Sequence, residues 1–168
     1  NRVIVRHEDT SPLTIADMLS FDETNDSDVQ FVAATGTPDT LITRPETELL
    51  VFTGKTFTPN GEITLQSGGS GAAYDGSLHV DNGATFTATG TQTHSIGGSF
   101  FNDELSAFNA ASSTLLFTAT TSGKGITQLS GETLSFNELE FTGVGGSWNL
   151  AADVEVAQDM TINAGTVT

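Results

Sequence analysis

The feature that most constrains this chain is a series of apolar–polar–apolar triplets near its C-terminal end. Trp148-Asn149-Leu150, Val154-Glu155-Val156 and Met160-Thr161-Ile162 begin six residues apart. Leu134-Ser135-Phe136 and Leu139-Glu140-Phe141 precede them in the same style. Period-two alternation puts one set of side chains on one face of a strand and the other set on the opposite face. A helix would instead place apolar residues at i, i+3, i+4 and i+7. Earlier triplets repeat the pattern at Ile63-Thr64-Leu65, Leu78-His79-Val80, Phe86-Thr87-Ala88 and Leu115-Leu116-Phe117. Turn signals stand between them at Asn60-Gly61, Asp75-Gly76, Asn82-Gly83 and Gly97-Gly98,. Strands this short cannot each bury a face alone, so stacked coils sharing one core are the economical solution.

Composition agrees. The 168 residues include 27 threonines and 18 glycines, which suit strands and tight turns and are poor in helix interiors,. Hydrophobic residues make up 36 %, enough for a packed core and unlike a disordered chain,. The absence of cysteine excludes a disulfide scaffold, thiolate-held zinc and a thiol nucleophile,. Twenty-one acids against five bases give a net charge of -16, the wrong sign for a phosphate-backbone binder,. No apolar run approaches the roughly 20 residues of a membrane-spanning helix. No nucleic-acid partner and no membrane insertion are therefore expected.

A longer repeat supports the coil reading. Gly97-Gly98-Ser99-Phe100 recurs as Gly145-Gly146-Ser147-Trp148, 48 residues later, which predicts two coils of about 24 residues each,. The expected fold is all-β, a right-handed parallel β-solenoid (β-helix); an antiparallel β-sandwich is the alternative. Residues 61–168 are expected to form the coils, and residues 1–60 an irregular β-rich N-terminal region or cap. Ile15 to Leu19 is expected to form one helical turn. The inward set is Leu65, Leu78, Val80, Phe86, Leu115, Phe117, Leu134, Phe136, Leu139, Phe141, Trp148, Leu150, Val154, Val156, Met160 and Ile162. The chain begins without Met and ends inside a strand pattern at Gly165-Thr166-Val167-Thr168. It is therefore expected to be a processed or excised piece of a longer protein.

The stretch from Gly97 to Thr168 resembles the degenerate Thr/Gly-rich β-helix repeats of large bacterial cell-surface, adhesin-like proteins. The matching motifs are Phe136-Asn137-Glu138-Leu139, Trp148-Asn149-Leu150, Val154-Glu155-Val156, Met160-Thr161-Ile162 and Gly165-Thr166-Val167. The resemblance implies an exported structural or adhesive role and supplies no catalytic residues. Glu8 to Leu19 loosely resembles the opening of cadherin-like adhesin repeats, which continue into a calcium loop. Here Asp22, Glu23, Asp26 and Asp28 follow without the glycine that closes such a loop, so no metal is assigned to them.

Chemistry-bearing residues are sparse. Glu138/Glu140 and Asp153/Glu155 point outward by alternation, as a glycosidase acid and base would. Charge-stabilising cations are missing from their region, because Lys124 is the one basic residue beyond position 62. His7, His79 and His94 stand in no ligand spacing, and His79 is expected to face solvent. Gly68-Gly69-Ser70-Gly71 lacks the Gly-Lys-Ser/Thr ending of a phosphate loop,. Lys55 and Lys124 have no spacing that singles them out for an intramolecular amide bond. No catalytic, cofactor or metal-binding residue is assigned, and no enzyme activity is expected. The expected function is an extracellular structural segment of a surface protein or filament that assembles by solenoid stacking. The alternative is an adhesin or carbohydrate-binding module. Expected partners are copies of itself or neighbouring repeats of the same chain, and surface glycans.

Overall fold

The computed structural model describes residues 48–168, apart from Phe52, Asn60, Ser70, Thr89 and Ser130. Before them it describes Ile42, Pro45 and the backbone of five strands. No helix is present among the described residues. The strands wind in successive groups of three. The first groups are β1 (Val3–Arg6), β2 (Leu13–Ile15) and β3 (Leu19–Ser20), then β4 (Asp28–Val32), β5 (Thr40–Thr43) and β6 (Leu49–Val51). Next come β7 (Thr56–Pro59), β8 (Glu62–Leu65) and β9 (Leu78–Val80), then β10 (Thr85–Thr87), β11 (Thr93–Ile96) and β12 (Phe100–Asn102). They continue with β13 (Ala107–Asn109), β14 (Thr114–Phe117) and β15 (Lys124–Gln128). The last are β16 (Leu134–Phe136), β17 (Glu138–Phe141) and β18 (Ser147–Ala151), then β19 (Val154–Val156), β20 (Met160–Ile162) and β21 (Thr166–Val167).

Every third strand pairs in parallel, which makes a three-faced β-solenoid. The first face runs β1-β4-β7-β10-β13, and β16-β19 form a separate two-stranded sheet. The second face runs β2-β5-β8-β11-β14-β17-β20, and the third runs β3-β6-β9-β12-β15-β18-β21. All pairings among the described strands are parallel, so the Asn82-Gly83 and Gly-Gly signals mark corners, not hairpins. The sheets run across residue 60, with β7 paired to both β4 and β10. Ile15 ends β2 and Leu19 begins β3. The expected helical turn between them, the acidic cluster from Asp22 to Asp26, and His7 lie outside the described residues.

The coil length varies. Leu78 pairs with Phe100, 22 positions on, Thr64 pairs with Ser95, 31 positions on, and Ser147 pairs with Thr166, 19 positions on. The expected 24-residue period holds for Thr114 with Glu138 and Lys124 with Trp148. The six-residue step of the C-terminal triplets is the length of one side of the solenoid with its corner, since β18, β19 and β20 lie on three successive faces.

Alternation delivers a continuous core. Inward columns stack like on like: Phe57, Phe86 and Phe108 on the first face, and Leu65, Ile96, Phe117, Phe141 and Ile162 on the second. Leu49, Leu78, Phe100, Ile126 and Leu150 stack on the third. Ring centroids in these columns lie 5.2 to 5.6 Å apart for Phe57–Phe86, Phe86–Phe108 and Phe117–Phe141, close to the rung spacing of a parallel sheet,. Most of the expected inward residues are buried, from Leu65 to Trp148. Leu150, Val154 and Val156 are partly buried against that core. Met160 and Ile162 depart from the expectation, at 43 % and 50 % exposed. Their register with Leu139 and Phe141 puts them in the inward columns, but no described strand covers their rung.

The Gly-Gly signals have a steric cause. A Cβ at Gly98 would lie 2.2 Å from the carbonyl oxygen of Asp75, and one at Gly143 would lie 1.8 Å from that of Ala119. These corners between the second and third faces press backbone against backbone of the preceding coil. The two Gly-Gly-Ser-aromatic copies do occupy the same corner, but slipped by two residues. Trp148 stands over Lys124 and, two coils down, over Gly98, whose carbonyl accepts the Trp148 indole N–H at 3.4 Å.

Candidate functional site

The hollows among the described residues are open and modest. One of 360 Å³ lies beside Phe108, Asn109, Ser135 and Phe136, where β13 and β16 run side by side without forming a ladder. Another of 340 Å³ lies against Lys124, Ser99 and Asn149.

The outward carboxylates face solvent or neighbouring rungs. Asp153 and Glu155 are exposed. Glu138 accepts a hydrogen bond from the Thr114 hydroxyl at 2.7 Å, and Glu140 accepts one from the Asn163 amide at 2.6 Å. Each is thus tied to another coil, not to its neighbour. The glycine-rich stretch after β8 holds an acid of its own: Gly68 N–H and the Ser67 hydroxyl both donate to the buried Asp75 carboxylate, at 2.8 and 2.6 Å. Lys55 and Lys124 are buried, and the Lys124 ammonium donates to the Ala72 carbonyl at 3.3 Å.

The three histidines have three settings. His7 lies outside the described residues. His94 sits in an inward column between Ile63 and Leu115 and is 2 % exposed. Its Nδ1 accepts the Ile63 N–H at 3.3 Å, so Nε2 carries the proton and is buried without a hydrogen-bond acceptor among the described residues. Burial pushes this imidazole down to about 4,.

His79 points outward, as alternation requires, but is half-buried in a cluster with Asp81 and Asp103. The ligand atoms of the three side chains lie within 4.8 Å of one another. His79 Nε2 stands 3.0 Å from Asp103 Oδ2, and the Phe101 ring lies beside the imidazole at 5.5 Å. The scaffold explains the placement. β9 and β12 pair so that His79 faces Phe101 and Val80 faces Asn102. The next residue on each strand is then Asp81 or Asp103, brought together by the Asp103 N–H donating to the Val80 carbonyl. From the preceding coil, the Thr53 hydroxyl and N–H donate to Asp81 Oδ2 at 2.6 and 3.2 Å. The Asn82 N–H donates to Asp81 Oδ1 at 2.7 Å.

Burial pushes the Asp81 carboxyl upward, but the Thr53 and Asn82 hydrogen bonds and the His79 charge outweigh it and hold it below the usual range. Half-burial pushes Glu48 above that range, partly offset by the same His79 charge. An imidazole thus lies against two carboxylates, an arrangement suited to holding a divalent cation. The sequence spacing hid it, because Asp103 follows Asp81 by one coil of 22 residues. Given the coil length, the outward pair His79-x-Asp81 with an acid one coil later is the signal that finds it.

Comparison with protein-family models, curated proteins and solved structures finds no match to this chain.

Proposed function

We propose that this chain is a structural segment of an extracellular surface protein or filament, built to continue along the solenoid axis. The observation that carries the reading is the uncovered rung at β19, β20 and β21. Met160 and Ile162 stand in the inward columns of the second face with about half their surface in water. Strand edges that avoid pairing normally carry Lys, Pro or a bulge. This rung has no proline and no basic residue, and Asp159 is the acid beside β20. The occupant we assign to it is another β-solenoid coil of the same kind, supplied by a second copy in isolated material. Backbone pairing and burial of Met160 and Ile162 would hold the joint, while the -16 charge keeps the sides apart,. The open hollows and the rung-to-rung bonding of the outward acids favour a structural role over catalysis.

Light scattering and negative-stain microscopy of the chain in dilute neutral buffer test this. End-to-end oligomers are expected, and Met160→Lys with Ile162→Lys should return them to monomer. Val167→Pro should act the same way, because Thr166 and Thr168 donate to the preceding coil and leave the Val167 N–H on the free edge. A folded monomer at all concentrations, unchanged by these substitutions, would sink the proposal. So would oligomers that survive them with intact Trp148 burial.

A further inference from the structure

We infer that His79, Asp81 and Asp103 form a binding site for one divalent transition-metal ion of the zinc class. The imidazole sets this cluster apart from the exposed acids elsewhere on the surface. Histidine nitrogen favours zinc, nickel, cobalt and copper, whereas calcium and magnesium take oxygen ligands. Geometry is the first support. Zinc holds nitrogen and oxygen at about 2.0–2.2 Å in a tetrahedron, so neighbouring ligands in its shell lie roughly 3.3–3.6 Å apart, a few tenths of an ångström wider than a hydrogen-bonded pair. His79 Nε2 and Asp103 Oδ2 are already 3.0 Å apart, and Asp81 completes the trio within 4.8 Å.

Preorganisation is the second support. Each ligand sits on or directly after a strand whose register fixes it, β9 for His79 and Asp81 and β12 for Asp103. Asp81 is further oriented from the preceding coil by the Thr53 hydroxyl and N–H, the kind of outer contact that aims a metal-binding carboxylate,. Charge is the third. Two carboxylates, Asp81 and Asp103, stand against one imidazole in the cluster. A bound cation would take the place of the direct hydrogen bond between His79 and Asp103. It would join two coils directly and a third through Thr53.

The test is titration of the intact chain with zinc chloride, followed calorimetrically, with cobalt(II) as the spectroscopic probe. One equivalent of zinc is expected, with an unfolding midpoint that rises with the logarithm of free zinc. His79→Gln and Asp103→Asn should each weaken binding about tenfold or more, and Thr53→Val about tenfold through Asp81. Asp153→Asn, an exposed acid two coils further along the same edge, should leave it unchanged. In the unmodified chain, zinc should perturb the ring signals of His79 in NMR spectra and spare those of His94. This readout needs no variant to fold. An absence of saturable zinc uptake overturns the site and leaves a His–Asp hydrogen bond only. Uptake unaffected by His79→Gln, or a complex that shifts another histidine in place of His79, overturns it equally.

Discussion

At the scale of single residues, the informative positions are those where alternation put an unexpected side chain into the core. His94 occupies a slot whose neighbours above and below are Ile63 and Leu115. Its folded pKa, about 4, lies below the ordinary value of 6.5. The unfolded chain therefore binds more protons between those values, and stability falls as pH drops through that window. The full shift corresponds to about 3 kcal/mol lost between pH 6.5 and 4. Urea unfolding at pH 7 and pH 4.5 checks this. His94→Leu, which suits the column and removes the unpaired Nε2, should flatten that part of the pH profile relative to the unmodified chain. An identical profile would show that the acids alone set it. Trp148 is the second such residue. It is 1 % exposed and packs against Phe141 and Phe117 with centroids at 5.1 and 6.2 Å. Trp148→Ala should destabilise the fold by about 3–5 kcal/mol, read by denaturant melts. A loss below 1 kcal/mol would mean the corner collapses onto the vacated space. Trp148 was legible as inward from its triplet. The burial of His94 was not, because Thr93-His94-Ser95-Ile96 reads as polar until the coil register aligns His94 with Leu115.

At the scale of strands and corners, the sequence was most readable where the coils are tightest. The last coil has short corners, so β18, β19 and β20 keep a visible six-residue step. Earlier coils carry longer excursions, such as the residues between β8 and β9, and there the period dissolves. The Gly-Gly recurrence was legible as a corner, while its two-residue slip was not, because the slip exists only in the pairing of Lys124 with Trp148. The corner glycines lead to a graded prediction. Gly143→Ala drives a methyl group into the Ala119 carbonyl, with backbone on both sides unable to yield cheaply. It should lower stability by about 1–3 kcal/mol, as overpacking does. Gly125→Ala, on strand β15 and nearest the Thr127 hydroxyl at 3.3 Å, should have the smaller effect. Parallel urea melts compare the two, and the reverse order would contradict the steric account. The His79 cluster was illegible for a related reason. Residues 79, 81 and 103 become neighbours only when the coil between them is known to be 22 residues long.

At the scale of the whole molecule, each coil touches chiefly the coils before and after it, so stability is a sum of local and nearest-neighbour terms. The rung of β19, β20 and β21 is paired on one side and should be less protected than the inner rungs. Hydrogen exchange below the concentration at which oligomers form should be faster there than for β11, β12, β14 and β15. Uniform protection along the axis would contradict that ranking. The parallel solenoid and its core columns were foreseeable from alternation, threonine content and turn residues, since these act locally. The exposure of Met160 and Ile162 was not, because it depends on what lies beyond them. One further property follows from the seam on the first face. Between β13 and β16 the ladder is interrupted, while the second and third faces run on unbroken through β14-β17 and β15-β18. A pull along the axis would therefore be borne unevenly at that level, on two sides of the triangle in place of three. The molecule should bend toward its intact sides there and part at this seam before any other level. In a load-bearing fibre, that makes the seam a built-in point of yield.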